Sequence, residues 1–233
     1  MDNNSKKEKV REMFDDISPK YDFLNHFLSF GIDYRWRKKL VSLLSMYHPR
    51  QILDVATGTG DLAIAMAALH PARIDGIDLS EKMLEIGLGK VRKKGLTSLI
   101  SLHLADAENI PFPENSFDAI TVAFGVRNFE NLQKGLMEMK RVLRPKGIML
   151  ILEFSHPASF PMKQLYKIYS HYGIPIIGRF ISKNQEAYTY LPHSVTAFPS
   201  GKEFLHILSS LELSGVRQYS LSAGIASIYI AEK

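Results

Sequence analysis

The sequence contains no cysteine, which excludes disulfides, thiolate metal sites and a cysteine nucleophile and fits a reducing compartment. A run of about 18 apolar residues, the length needed to cross a bilayer, is also lacking, and the polar start MDNNSKKEK leads into no signal-peptide core. A cytoplasmic protein is expected, neither secreted nor membrane-spanning. The eight histidines are dispersed without recurring ligand spacing, so no metal site is expected. Internal repeats and low-complexity tracts are missing too. What is present is an ordinary globular composition, 45% hydrophobic and 23% charged over 233 residues. That is chain enough for one α/β core and crowded for two, so a single domain spanning 1–233 is expected. The net charge of +5 admits an anionic partner, nucleic acid or lipid surface, and equally a merely basic soluble enzyme.

Gln51 to Asp61, QILDVATGTGD, organises the rest: an apolar run ends in small residues and turns directly into a helical pattern, Leu62 to Leu69. Gly58 and Gly60 can take positive φ and leave the backbone open to a ligand. Gly58, Gly60 and Ala63 formally satisfy the dinucleotide fingerprint. Against a diphosphate stand Asp54 and Asp61, which flank the turn with no Lys or Arg between them. S-adenosylmethionine, a sulfonium with an amino group and no phosphates, suits this acidic loop better than NAD. Asp54, inside the strand, can reach the ligand's ammonium or order the loop. A plain βα turn without a ligand is the bland alternative.

Before this loop lie roughly fifty residues. Val10, Met13, Phe14 and Ile17 give an amphipathic helix with Lys6, Lys7, Lys9 and Arg11 around it, stopped by Ser18 and Pro19. An aromatic connection (21–36) and a helix to Pro49 follow, and positions 1–50 form a candidate lid. After the loop, Arg73 to Leu79 predicts a second strand; Asp78 at its end can accept both ribose hydroxyls. Leu99 to Ala105 predicts a third, with Asp106 and Ala107 behind it and Asp106 placed to accept from an adenine amine. Phe117 to Ala123 predicts a fourth, Gly147 to Phe154 a fifth. Residues 155–199 interrupt this rhythm with an aromatic insert, either the wall for a large oily substrate or simply core packing. Ser200 and Glu203 read as a capping box, and Val216 to Leu221 with Ile225 to Ala231 as a closing hairpin. Five βα units and a hairpin predict a seven-stranded, mostly parallel sheet with one antiparallel strand and helices on both faces.

Four stretches then carry a resemblance: YDFLNHFLSFGIDYRW at 21–36, FGVRN at 124–128, RVLRPKGIMLILEFSHP at 141–157, and the Tyr188 to Ser194 run. With them the chain resembles the ubiquinone/menaquinone biosynthesis C-methyltransferases, within the class I S-adenosylmethionine-dependent methyltransferases of Rossmann-like α/β fold. Asp33 departs from the usual His of the first signature, and Lys146 from a Gly of the third stretch. Ala123 stands where some members have a Ser that touches the donor. The resemblance implies donor contacts at Thr59, Asp78, Asp106 and Ala107. It further implies methyl transfer to a ring carbon of a polyprenylated hydroquinone, demethylmenaquinol first and a benzoquinol of ubiquinone synthesis second. That chemistry needs a stabilised phenolate. Arg127 is the expected stabiliser, with Asn128 beside it and Tyr21, Asp22 and Asn25 as orienting groups; His156 or His193 is the candidate base. A polyprenyl tail also implies a peripheral membrane contact through the amino-terminal helix and the insert. Rival readings are a methyltransferase of sterol, phospholipid or RNA, a nicotinamide dehydrogenase, and a non-catalytic quinone-pathway subunit. Scattered basic residues and an oily insert argue against nucleic acid.

Overall fold

The computed structural model describes residues 5–29, 31–157, 160–161, 164 and 185–233. Seven strands form one sheet: β1 (Gln51–Val55), β2 (Arg73–Asp78), β3 (Ile100–Leu104), β4 (Phe117–Ala123), β5 (Leu143–Phe154), β6 (Ser214–Leu221) and β7 (Ala226–Glu232). Their order is β3-β2-β1-β4-β5-β7-β6, parallel from β3 through β5, with β7 antiparallel to both neighbours. The expected Rossmann-like mixed sheet is therefore present. Chain direction across the sheet reverses between β1 and β4, and a crevice opens at the carboxyl ends of the strands on either side of such a reversal.

Strand periodicity sorts the core into two layers. Leu53, Met149 and Ile151 join one cluster with Leu136 and Met139 of α5 (Leu132–Val142) and Phe204 and Leu208 of a helix at Lys202–Ser210. Their chain neighbours Ile52, Leu150 and Leu152 face the other layer, with Trp36, Leu40 and Leu44 of α2 (Ile32–Leu44) and Leu62 of α3 (Asp61–Met66). Alternate residues of a buried parallel strand must face opposite sides, which is why these strands read as unbroken apolar runs. The remaining helices are α1 (Lys6–Leu28), α4 (Glu81–Lys93), α6 (Gln185–Ala197) and α7, the Lys202–Ser210 helix.

Three local expectations are corrected. α1 continues through Pro19 to Leu28, so the aromatic connection begins as helix. Proline removes the N–H that would bond the Asp15 carbonyl, and the Ser18 hydroxyl donates to that carbonyl instead at 2.9 Å. The capping box at Ser200 does not form: Gly201 is the N-cap of α7, and its N–H donates to the Tyr229 hydroxyl at 2.7 Å. The fifth strand begins at Leu143 and not at Gly147, and within its bulged stretch Lys146 is left-handed at φ 65°, its N–H on the Lys233 carbonyl.

Tyr229 is fully buried edge-on to Phe204, so its hydroxyl joins β7 to the start of α7. Tyr229→Phe is expected to strand the Gly201 N–H and to cost about 1–2 kcal/mol, read as a lowered urea midpoint with unchanged slope.

Candidate active site

The glycine loop is shaped from below. Asp54, 1% exposed at the end of β1, accepts from the Thr57 hydroxyl at 2.6 Å and from the Thr121 hydroxyl of β4 at 2.7 Å. Of the two roles open to Asp54, ordering the loop is the one that these contacts serve. Burial pushes its carboxyl up to about 6 against the pull of the two hydroxyls. Above it the chain is strained: Ala56 and Phe124, which follow β1 and β4, are both left-handed at φ 52° and 59°. Strain of this kind gathers at sites that need a fixed backbone. A Cβ on Gly125 would stand 2.5 Å from that of Ala56, so only glycine lets the two strand ends meet.

The loop then faces β2. Gly58 (φ 55°) donates its N–H to one Asp78 oxygen at 2.8 Å, and Ser80 donates to the other at 2.9 Å. Burial raises the Asp78 carboxyl while these N–H groups oppose the rise. Each oxygen keeps a second lone pair for a ligand. Thr59, 2% exposed, donates its hydroxyl to Asp22 of α1 at 2.6 Å and accepts from Lys90 of α4 at 2.9 Å. Asp22 is thus spent latching the amino-terminal helix to the loop. Gly60 (φ 77°) starts α3. Neither Thr59 nor Gly60 lines the cleft above.

That cleft encloses about 730 Å³, its open mouth included. Gly58, Asp78, Asp106, Ala107 and Ala123 line it, as do Tyr21 and Asn128; Asn25 and Arg127 do not, the latter lying behind its neighbours Phe124, Gly125 and Asn128, which do. Helix α1 roofs it with Lys7, Val10, Arg11 and Phe14. Lys7 reaches down to Asp106, with Glu108 beyond at 3.7 Å, and Glu108 itself accepts the N–H groups of Glu130 and Asn131. The cleft is therefore rich in acceptors at its β2–β3 side. Lys7 and Glu108 had no sequence signal as site residues, because each is held by a partner about a hundred or twenty residues away.

On the β4 side, a single turn of 3-10 helix at Val126–Asn128 carries Arg127. One guanidinium nitrogen, Nη1, donates to the Phe124 carbonyl at 2.5 Å and to Glu153 of β5 at 2.7 Å. Arg127 is 7% exposed at its side chain, lies 5.3 Å from the Phe154 ring, and keeps a buried Nε with no partner among the described residues. Burial drives the Tyr21 phenol up to about 12 against the pull of Arg127 and Arg37, so it remains a proton donor at neutral pH. Tyr190 of α6 donates to the Asn128 carboxamide oxygen at 3.0 Å. Tyr190 lies in the Tyr188 to Ser194 motif without having been singled out.

The two candidate bases lie away from the cleft lining. His156 is exposed, its Nε2 donating to the Val195 carbonyl at 3.2 Å, and His193 is exposed on α6; neither lines the cleft. Asp33, in place of the signature His, is buried and accepts from His26, Ser29 and Arg37. Burial raises its carboxyl, but these three partners together hold it below the ordinary range. Of the insert, 158–159, 162–163 and 165–184 lie outside the described residues.

The chain matches the ubiE/COQ5 methyltransferase family over residues 2–233. It belongs to that family. A demethylmenaquinone methyltransferase of Bacteroides fragilis is 49% identical over 229 residues, covering 98% of this chain and 94% of its own. The ubiquinone/menaquinone biosynthesis C-methyltransferase UbiE of Geotalea uraniireducens is 45% identical over 230 residues, with coverages of 98% and 97%. In fold, the chain is similar to a SAM-dependent methyltransferase of Thermotoga maritima at a TM-score of 0.67 and 18% identity, covering 96% and 99% of the two chains. As a ubiE/COQ5 methyltransferase the protein is an enzyme of methyl transfer, and its fold is that of S-adenosylmethionine-dependent methyltransferases. No helix among the described residues is long and apolar enough to cross a membrane.

The buried Asp54 makes a pH prediction. Its folded-state pKa of about 6 lies above the ordinary 3.8, so between these values the folded chain holds a proton that the unfolded chain has lost. Its contribution is therefore most favourable below about pH 4 and declines as pH rises through about 6, by about 3 kcal/mol in all. Urea denaturation of wild type and Asp54→Asn across pH 4 to 7 is expected to show this decline in the difference between the two; parallel curves would refute it.

Proposed function

We propose that the chain methylates a ring carbon of a polyprenylated hydroquinone, demethylmenaquinol to menaquinol, with a benzoquinol intermediate of ubiquinone synthesis as the second substrate. The observation that carries this reading within the family is the buried Nε of Arg127, without a partner among the described residues, near Tyr21, Asn128 and Tyr190. Leaving such a donor unpaired costs about 1–3 kcal/mol, a cost that an anionic oxygen of a substrate would remove.

The residues of the cleft fit S-adenosylmethionine. Asp78 has two oxygens with spare lone pairs for a ribose diol, and Asp106 and Ala107 suit the adenine edge, Asp106 once Lys7 shares or releases it. Gly58 and Ala123 offer no bulk, and Asp54, Thr59 and Gly60 keep the loop in shape. When bound, this group would supply an electrophilic methyl, to which the ring carbon bonds while the sulfur leaves as a neutral thioether with the electron pair of the broken bond. The protein's own part is alignment and charge. Loss of the adjacent hydroxyl proton puts negative charge on the oxygen and on the ring carbon ortho to it; Arg127 stabilises that charge, and Tyr21, still protonated, orients the oxygen by donating. The ring carbon gives up its own proton after transfer. Alignment can contribute about 7–11 kcal/mol, so water suffices as base and no histidine is required.

The polyprenyl tail implies contact with a bilayer. Exposed Phe23 and Phe160 favour it, but the exposed face of α1 mixes Lys6, Lys9, Arg11 and Lys20 with Glu8, Glu12 and Asp16. Attraction to anionic lipid is therefore nearly balanced, and apolar contact carries the association.

Labelled methyl transfer to chemically reduced demethylmenaquinone, run beside the reduced demethyl benzoquinone, tests the reading. Label is expected in the naphthoquinol, and Arg127→Ala is expected to lower kcat by about 100- to 1,000-fold while donor binding persists. Donor binding by the wild type with neither quinol labelled would overturn the substrate. In vesicle flotation, neutral and anionic membranes are expected to recover similar amounts of protein; recovery only with anionic lipid would show that charge, not apolar contact, drives association.

A further inference from the structure

We infer that Glu153 is the positioning residue for Arg127: one buried carboxylate holds both the main-chain amide and the guanidinium of the same residue and so fixes where the cation's remaining donors face. The inference rests on the role of Arg127 proposed above. Glu153 is 0% exposed. Its Oε1 accepts from Arg127 Nη1 at 2.7 Å and from the Phe154 N–H at 2.9 Å, and its Oε2 accepts from the Arg127 N–H at 3.3 Å. An arginine side chain pinned only at its tip can swing about its long stem; here the same acceptor also fixes the backbone from which that stem starts.

The placement is rigid. Glu153 sits in β5, bonded on one side to β7 in register with Ser227, and is preceded by the buried apolar run Ile148 to Leu152. A site built on a central strand is held more tightly than one built on a loop. The Phe124 carbonyl, fixed by its left-handed residue, takes the other bond of Nη1, and the Phe154 ring lies beside the guanidinium. With Nη1 doubly engaged, the donors left over are those of Nε and Nη2, of which Nε is buried without a partner among the described residues, so the carboxylate fixes how these donors are presented. Burial raises the Glu153 carboxyl and Arg127 pulls it back, which makes the ion pair a costly choice for a core position. A buried pair seldom stabilises a fold more than apolar side chains of equal volume do, so stability does not account for a charge here. Orientation of Arg127 does.

The test is steady-state methylation of reduced demethylmenaquinone by wild type, R127A, E153Q, E153D and R127A/E153Q, with donor affinity measured separately by calorimetry. Glutamine can still accept from Nη1 but presents an NH2 to the Arg127 N–H. E153Q is therefore expected to lower kcat about 100-fold, with quinol KM and donor affinity close to wild type. E153D keeps the charge with a shorter reach and is expected to lose about tenfold. Because Glu153 acts through Arg127, R127A/E153Q is expected to be no slower than R127A, whereas a merely structural role would make the two losses multiply. Wild-type kcat in E153Q, or multiplying losses, overturns the inference. If E153Q does not fold, E153D and R127A/E153D decide it by the same criteria. Absence of turnover in the wild type removes the substrate reading instead, a result distinguishable from all of these.

Discussion

A carboxylate without water, at the point where the sheet changes direction, sets what the rest of the site can be. Asp54 bridges the loop after β1, through Thr57, to the adjacent strand β4, through Thr121. Two hydroxyls donate to it in a place where an unpaired charge would cost far more than the bonds return. The consequence is geometric. The ends of β1 and β4 are tied together just below two left-handed residues, Ala56 and Phe124, so the glycine loop and the turn bearing Arg127 and Asn128 rise from one fixed base. A shift in either strand would break a bond to a buried charge, which penalises the loose arrangements a flexible loop would otherwise visit.

The amino-terminal helix is coupled to the same base. Asp15 accepts from the Ser80 hydroxyl at 2.6 Å while that hydroxyl also caps α4; Asp22 takes Thr59 and Lys90; Lys6 donates to the Phe129 carbonyl; Lys7 meets Asp106. These contacts fall on residues that shape the cleft, not on remote surface. The same side chains thus tie α1 both to the glycine loop and to the acceptors of the β2–β3 side. The buried Asp33, held by His26, Ser29 and Arg37, anchors the junction of α1 and α2.

Much of the fold was legible because it depends on periodicity. Unbroken apolar strands, the glycine turn and the closing hairpin dictated the mixed sheet, and the family motifs dictated methyl transfer. Where the sequence reading failed, a distant partner had replaced a local rule. Pro19 does not stop α1 because Ser18 satisfies the carbonyl that proline leaves free, and Ser200 does not cap α7 because Gly201 starts it, tied to Tyr229 of β7. The histidines fit proton transfer by type, yet their surroundings keep both out of the cleft. Glu153 sat within a recognised motif, but only its burial against Arg127 gives it a task, and Lys7 became a cleft residue only when α1 folded over the sheet.

The two sides of the β1–β4 divide differ in polarity in a way that bears on how methyl transfer is aligned. Asp78, Asp106 and Glu108 offer lone pairs on the β2–β3 side; at the turn after β4, Arg127 keeps an N–H without a partner among the described residues, and the protonated Tyr21 of α1 lines the cleft within its field. A donor rich in hydroxyl and amino groups is favoured on the first, and an acceptor whose oxygens gain charge during reaction is favoured on the second. Exchanging the two would set carboxylates against a developing phenolate and a guanidinium against a sulfonium, each a like-charge contact in poorly screened surroundings. On the proposed reading the reacting pair is oriented by complementarity of charge as well as shape, and stabilising the phenolate lowers the cost of losing its proton.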